Sequence, residues 1–191
     1  MGPEWERRRF LSTALAGAAA FIAAGCSPSN TKRRARPVIT SDGGFGGRID
    51  VGPVDEVRRY LANTPKPLYV PEARSYVVEF PAGAADAARG VYPKDALPML
   101  EAGLIVLYQR CTHLGCRVPW CATSEWYECP CHGARFDQVG EHRHGPAPRG
   151  MDIMQSSIED GHLMIDTGTI LRGVPIGTNV AHLEPAGPFC V

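Results

Sequence analysis

The chain carries no excess charge of either sign, because its twenty basic and twenty acidic side chains cancel over 191 residues. That balance removes the electrostatic footprint on which nucleic-acid binding depends. There is no internal repeat, which excludes solenoids and propellers. There is also no glycine-rich phosphate loop to suggest nucleotide chemistry. Long apolar runs are missing too. Phe10 to Cys26 is uncharged over 17 residues, roughly 25 Å as a helix against a ~30 Å hydrocarbon layer. Only by counting on to Thr31 does a membrane span become possible. What is abundant is glycine and proline, 21 and 17 residues, beside an apolar fraction of 44%. Such a composition favours a loop-rich β domain of ordinary size with a tail.

The seven cysteines are the informative residues. Cys111 and His113 form a C-x-H pair, and Cys129 and His132 form a C-x-x-H pair. Two short loops, each offering one thiolate and one imidazole, supply four ligands to a metal site. Cys116 and Cys131 stand one in each loop. Tetrahedral zinc accepts two cysteines and two histidines, although zinc spacings usually pair like with like.

The full stretches, C-T-H-L-G-C from Cys111 and C-P-C-H-G from Cys129, resemble the signature of the high-potential branch of the Rieske family. Gly145-Pro146-Ala147-Pro148 resembles that family's proline loop. The likeness runs in pattern from about Leu68 to Thr167, and only the two loops and the proline loop are specific. It implies an all-β, antiparallel fold with a cluster-binding insert, about residues 110–150, at one tip. One [2Fe–2S] cluster is implied, with Cys111 and Cys129 on the inner iron and His113 and His132 on the outer iron near the surface. Imidazoles in place of thiolates would raise its potential into a range of roughly −150 to +300 mV.

The resemblance further implies a Cys116–Cys131 disulfide clamping the two loops, and a disulfide implies an oxidising compartment. Leu114 would be apolar cover at a docking face. Backbone N–H groups around Gly115 and Gly133 would donate to the sulfurs, and Pro146 and Pro148 would shield a third side. The implied role is the electron-transfer subunit of a quinol–cytochrome c oxidoreductase. Its partners would be a membrane cytochrome b and a c-type cytochrome, with His113 and His132 making a proton-coupled contact to quinol. The small subunit of an arsenite-oxidase-like molybdenum enzyme and a stand-alone tethered carrier are the alternatives. Ring-dioxygenase ferredoxins lack a pair of the Cys116–Cys131 kind. The chain departs from the family at Ala134 and Phe136, where Ser and Tyr hydroxyls usually donate to cluster sulfurs. Losing both lowers the expected potential and favours menaquinol.

Arg7-Arg8-Arg9-Phe10-Leu11 resembles a twin-arginine export signal, which carries folded proteins with their cofactor already loaded. Residues 1–31 are therefore read as signal or membrane anchor, with Cys26 at a lipobox-like site as an alternative. That reading sets the head on the extracytoplasmic side of the cell membrane. Residues 32–52, basic and then glycine-rich, read as a flexible tether, and 53–191 as the folded domain. Cys121 and Cys190, the remaining unassigned pair in the exported part, are expected to form a second disulfide stapling the Pro- and Gly-rich tail to the insert.

The element pattern predicts a helix capped by Asp55 and running to about Leu61, then a hairpin over Leu68–Phe80. Ala82–Leu100 reads as a surface connection, and Gly103–Gln109 as a buried strand leading to Cys111. A returning strand follows at Ala134–Asp137, with a closing hairpin at Ile153–Ile158 and His162–Asp166. His142 and His144 read as solvated, and His162 and His182 have no assigned role.

Overall fold

The computed structural model describes residues 40–41 and 45–191. The expected signal or anchor, Cys26 and the glycine run before Phe45 lie outside the described residues. Among those described, no helix is long and apolar enough to cross a membrane.

The fold is mostly β. Seven antiparallel strands form one sheet in the order β1-β2-β10-β9-β5-β4-β3. They are β1 Thr40–Ser41, β2 Arg48–Pro53, β3 Leu68–Val70, β4 Ser75–Glu79, β5 Leu104–Tyr108, β9 Ile153–Glu159 and β10 His162–Leu171. A second antiparallel sheet, β6-β7-β8 (Tyr127–Glu128, Arg135–Phe136, His142–His144), lies between β5 and β9 in the chain and carries the candidate site. Helix α1, Val54–Ala62, follows β2.

The apolar run of β5 is buried at all five positions, because the main sheet is covered on both faces. Leu104 and Val106 join Ile49, Val51, Val77, Leu163 and Ile165 on one side. Ile105 and Leu107 join Tyr76, Val78, Phe80 and Ile153 on the other. The second core continues into the insert through Val118, Tyr127, Cys129, Ala134 and Phe136, so the site rests on the sheet without a break. Asp160 and Gly161, both at positive φ, make the two-residue turn between β9 and β10 that matches the strand twist.

Three expectations are corrected. The folded domain begins before residue 53, since β2 starts at Arg48 and pairs with β10. Ile49 and Val51 alternate into the core, a strand signal masked in sequence by the glycines before it. Ala82–Leu100 is not a bare surface connection. It forms 3-10 turns and the short helices α2 (Ala85–Ala88) and α3 (Leu97–Glu101), which bury Ala84, Ala88, Tyr92, Ala96 and Leu100. Asp55 is not a cap either. The helix begins at Val54 with no side-chain cap, placing Asp55 and Glu56 in its first turn, where negative charge favours the helix dipole.

Candidate metal centre

The insert contains three copies of one tight loop. In the first, the Cys111 N–H donates to the Cys116 carbonyl (2.7 Å) and the Gly115 N–H returns to the Cys111 carbonyl (2.9 Å). The second repeats this from Cys121, with Cys121 N–H to Trp126 O (2.8 Å) and Glu125 N–H to Cys121 O (2.9 Å). The third does so from Cys129, with Cys129 N–H to Ala134 O (2.8 Å) and Gly133 N–H to Cys129 O (3.0 Å). Each stands on an antiparallel pair: Arg110 opposite Arg117, Trp120 opposite Tyr127, and Glu128 opposite Arg135. The fifth position of each needs positive φ, supplied by Gly115, Glu125 and Gly133. Glycine occupies it in the first and third loops because the left-handed region is free of strain only there.

These loops bring the first and third sets of side chains together. Cys111 and Cys129 are free, buried thiols. The rings of His113 and His132 meet edge to face with centroids 4.8 Å apart. His132 lies on the surface and His113 is half-buried. Leu114 beside them is 70% exposed, an apolar side chain held out at the tip. Cys116 and Cys131 are joined by a disulfide, Cα atoms 6.6 Å apart, and the Cys129 sulfur lies within 4.8 Å of both its sulfurs.

The donor set fits a metal cluster on its chemistry. His113 Nδ1 is buried without a hydrogen-bond partner, an arrangement that costs free energy unless something accepts its lone pair. Burial pushes the Cys111 thiol up to about 11, and the neighbouring Cys129 adds to this, while the backbone N–H groups of His113 and Leu114 pull it back. The Cys111 thiol remains protonated until a cation displaces its proton. The Gly115 and Gly133 N–H groups themselves close the loops onto the Cys111 and Cys129 carbonyls.

The proline loop packs on both ligand loops. A Cβ on Gly145 would stand 2.6 Å from Ala134 Cα, so only glycine allows the approach. Thr112 Oγ1 donates to the Arg149 carbonyl at 2.9 Å. Pro146 and Pro148 face outward and Ala147 is buried between them. His142, expected to be solvated, is buried with its Nε2 3.0 Å from the Gly145 carbonyl. Burial holds its imidazole below the usual range, so the neutral ring donates that bond and props the loop. His144 is exposed as expected, while His162 pairs with Asp50 at 2.9 Å. Ala134 and Phe136 are fully buried and have no hydroxyl to offer.

The segment 172–191 wraps the insert. Cys190 is joined to Cys121, Cα atoms 5.9 Å apart. Buried Glu128 accepts from the Cys190 and Val191 N–H groups at 2.8 Å and from Ser124 Oγ at 2.6 Å. Phe189 packs at a tilt against Trp126 and lies under the Arg135 guanidinium. Further along, buried Asp137 and Glu141 share Arg143, which also reaches the Thr178 carbonyl and Asn179. Tyr92 donates to Glu141 at 3.0 Å. Burial pushes the Asp137 carboxyl up to about 7, partly offset by Arg143 and reinforced by Glu141. Sequence reasoning missed these anchors because charge pairing across such distances leaves no local pattern.

Residues 50–158, more than half of the chain, match the family described as the Rieske [2Fe-2S] domain. The chain belongs to the Rieske [2Fe-2S] family, and the cofactor of that family is the [2Fe–2S] cluster. Over 59 residues it is 46% identical to a cytochrome b6-f complex iron-sulfur subunit of Prochlorococcus marinus, a match covering 31% of this chain and 33% of that one. Over 67 residues it is 39% identical to cytochrome b6-f complex iron-sulfur subunit 1 of a Synechocystis strain, covering 35% and 38%. The match thus spans about a third of these relatives' length. A crystallised plasma membrane Rieske protein of Synechocystis is 21% identical with a TM-score of 0.39, over 61% of this chain and 96% of that one.

Proposed function

We propose that the protein is the electron-transfer subunit of a quinol–cytochrome c oxidoreductase of the cytochrome bc class. In this reading Cys111 and Cys129 hold the inner iron, and His113 and His132 the outer one. The observation that carries it is the layout of the tip: two buried free thiols behind two imidazoles, one of them exposed, with Leu114 projecting beside them.

The cluster, when bound, accepts one electron at a time and passes it on. The chain's own residues do the rest. His113 and His132 would hold the outer iron through one ring nitrogen and turn the other N–H to the docking face, where its proton would be held less tightly if positive charge grew behind the ring. The deprotonated nitrogen accepts a hydrogen bond from a quinol hydroxyl, so proton and electron leave the quinol at one place. Leu114 covers that place with apolar surface. The proline loop, held by Gly145, Thr112 and His142, excludes water from the side facing Ala134.

A membrane cytochrome b would share the quinol site and a c-type cytochrome would take the electron. Menaquinol is the favoured donor, because Ala134 and Phe136 give no hydrogen bonds to favour the reduced state. The head would lie outside the cytoplasmic membrane after twin-arginine export. Purification of the native assembly from membranes tests this reading. Co-purification of a cytochrome b and a c-type cytochrome supports it, and a molybdopterin subunit in their place overturns it.

A further inference from the structure

We infer that the tip is an electropositive docking face for a partner protein with a carboxylate-rich surface, and that Arg110 and Arg117 recognise that surface. The inference deepens the proposed function, and rests on that reading only in taking Leu114 and the two imidazoles as the point of contact.

The chain as a whole is neutral, with twenty basic and twenty acidic side chains, but the tip is not. The three segments that build it, residues 110–118, 129–136 and 142–150, hold five arginines and no aspartate or glutamate. Two of the five are neutralised from outside these segments, Arg143 by Asp137 and Glu141, and Arg149 by Asp152 at 2.9 Å. Arg135 lies over Phe189 and donates to the Val191 carbonyl. Arg110 and Arg117 form no ion pair among the described residues. Both are exposed, and they stand directly opposite one another on the antiparallel pair that carries the first ligand loop.

Like charges directly opposite across two strands destabilise the pairing, and an anion placed over both offsets that cost. Each guanidinium is nonetheless held in place. Arg110 Nε donates to the Gly115 carbonyl at 3.1 Å, and its Nη2 lies 2.9 Å from where a Cβ on Gly115 would stand. The group therefore rests against the loop next to Leu114. Arg117 lies over the Tyr69 ring, 4.9 Å from its centroid. Side chains ordered in advance lose less entropy when a carboxylate arrives, and the forked guanidinium matches its two oxygens. At the proline loop, exposed Arg172 lines a groove with Pro148 and adds a further cation.

A protein surface fits this face better than a lipid one. Leu114, 70% exposed, is the only large aliphatic or aromatic side chain that the three segments expose. Protein interfaces seat a single anchor of this kind in a pocket within a polar rim, whereas a lipid surface holds a broad apolar face. Complementary charge speeds encounter and fixes orientation more than it adds affinity. That suits a contact which forms and parts with each electron.

The test uses the full-length chain loaded with its cluster, decaglutamate as the acidic probe and decalysine as its opposite. The reduced cluster is paramagnetic and broadens the proton resonances of a peptide docked near it, so binding elsewhere on the chain goes unseen. Decaglutamate resonances are expected to broaden at low salt and to recover by roughly 0.15 M salt, where the Debye length falls to about 8 Å. Those of decalysine are expected to stay sharp. Arg110→Gln/Arg117→Gln is expected to cut the broadening about fivefold, the worth of two exposed ion pairs, and Arg110→Lys/Arg117→Lys to keep most of it. Arg58→Gln/Arg59→Gln removes the same charge at the other end of the main sheet, where Arg58 donates to the Ala102 carbonyl ahead of β5, and is expected to change nothing. Equal broadening in Arg110→Gln/Arg117→Gln and the parent overturns the proposal, as does stronger broadening of decalysine. An equal loss in the Arg58 and Arg59 variant also overturns it, by making net charge the cause. In bicelles containing phosphatidylglycerol, headgroup broadening that disappears in Arg110→Gln/Arg117→Gln overturns it too, by giving the arginines to a lipid surface. Calorimetry of decaglutamate binding needs no cluster, and weaker binding by the same variant is expected there. A chain that retains no iron therefore contradicts the proposed ligand set without deciding this inference, which calorimetry still tests.

Discussion

Tyr127 stands directly opposite Phe136 across the β6–β7 ladder, and both side chains are fully buried beneath the candidate metal centre. The pair sets the spacing between the ligand loop from Cys129 and the main core, because Tyr127 also packs on Tyr76 with centroids 5.0 Å apart. Phe136 fills its place by shape alone and donates nothing to the sulfurs above it.

Restoring the missing donors is expected to raise the reduction potential. In a redox titration, Ala134→Ser and Phe136→Tyr are each expected to move the midpoint upward. A hydrogen bond to a charged acceptor is worth ~1.5–3 kcal/mol, or roughly 60–130 mV for one electron. No upward shift in either variant would mean that other donors already serve the sulfurs, and the menaquinol assignment would fall.

Cys116→Ser removes a covalent tie across a sequence separation of 15 and leaves the four proposed ligands in place. The chain-entropy estimate for such a loop is ~3 kcal/mol. Heating is expected to bleach the visible absorbance of the loaded protein faster than in the parent. Identical bleaching rates would show that the disulfide does not clamp the site.

Gly145→Ala forces a Cβ to 2.6 Å from Ala134 Cα at a φ of +90°. The proline loop must lift, at a cost of about 1–3 kcal/mol. Faster loss of cluster absorbance in a chelator is the expected result, and an unchanged rate would remove the shielding role given to the loop.

Stability is expected to fall with rising pH through the window set by Asp137. Its carboxyl is raised from 3.8 to about 7 by burial, so the folded state holds a proton that the unfolded state has already released. The stabilisation is full below pH 4 or so and is lost as pH climbs to about 7, at no more than ~1.4 kcal/mol per unit. Denaturant unfolding of Asp137→Asn is expected to lack that slope. Equal slopes in parent and variant would mean that Asp137 stays charged throughout.

How much was legible in the chain itself follows from the range of each interaction. The ligand loops could be read because their residues are neighbours in sequence and metal chemistry constrains the spacing. The second copy of the loop, from Cys121, shares only its first residue with the others, so its backbone likeness had no sequence trace. The strand at Ile49 and Val51 was hidden by adjoining glycines, and the turns over Ala82–Leu100 by alanines and prolines that follow no single period. His142, Glu128 and Asp137 took their places through contacts with distant segments, which local patterns do not encode.

The most direct test of the account is a reduction-potential titration across pH on the loaded protein. If His113 and His132 are ligands whose ring protons couple to the electron, the potential is level in acid and then declines. The slope approaches about 59 mV per pH unit for one proton per electron. A potential that stays level into strongly alkaline solution would contradict the proton-coupled role of both histidines.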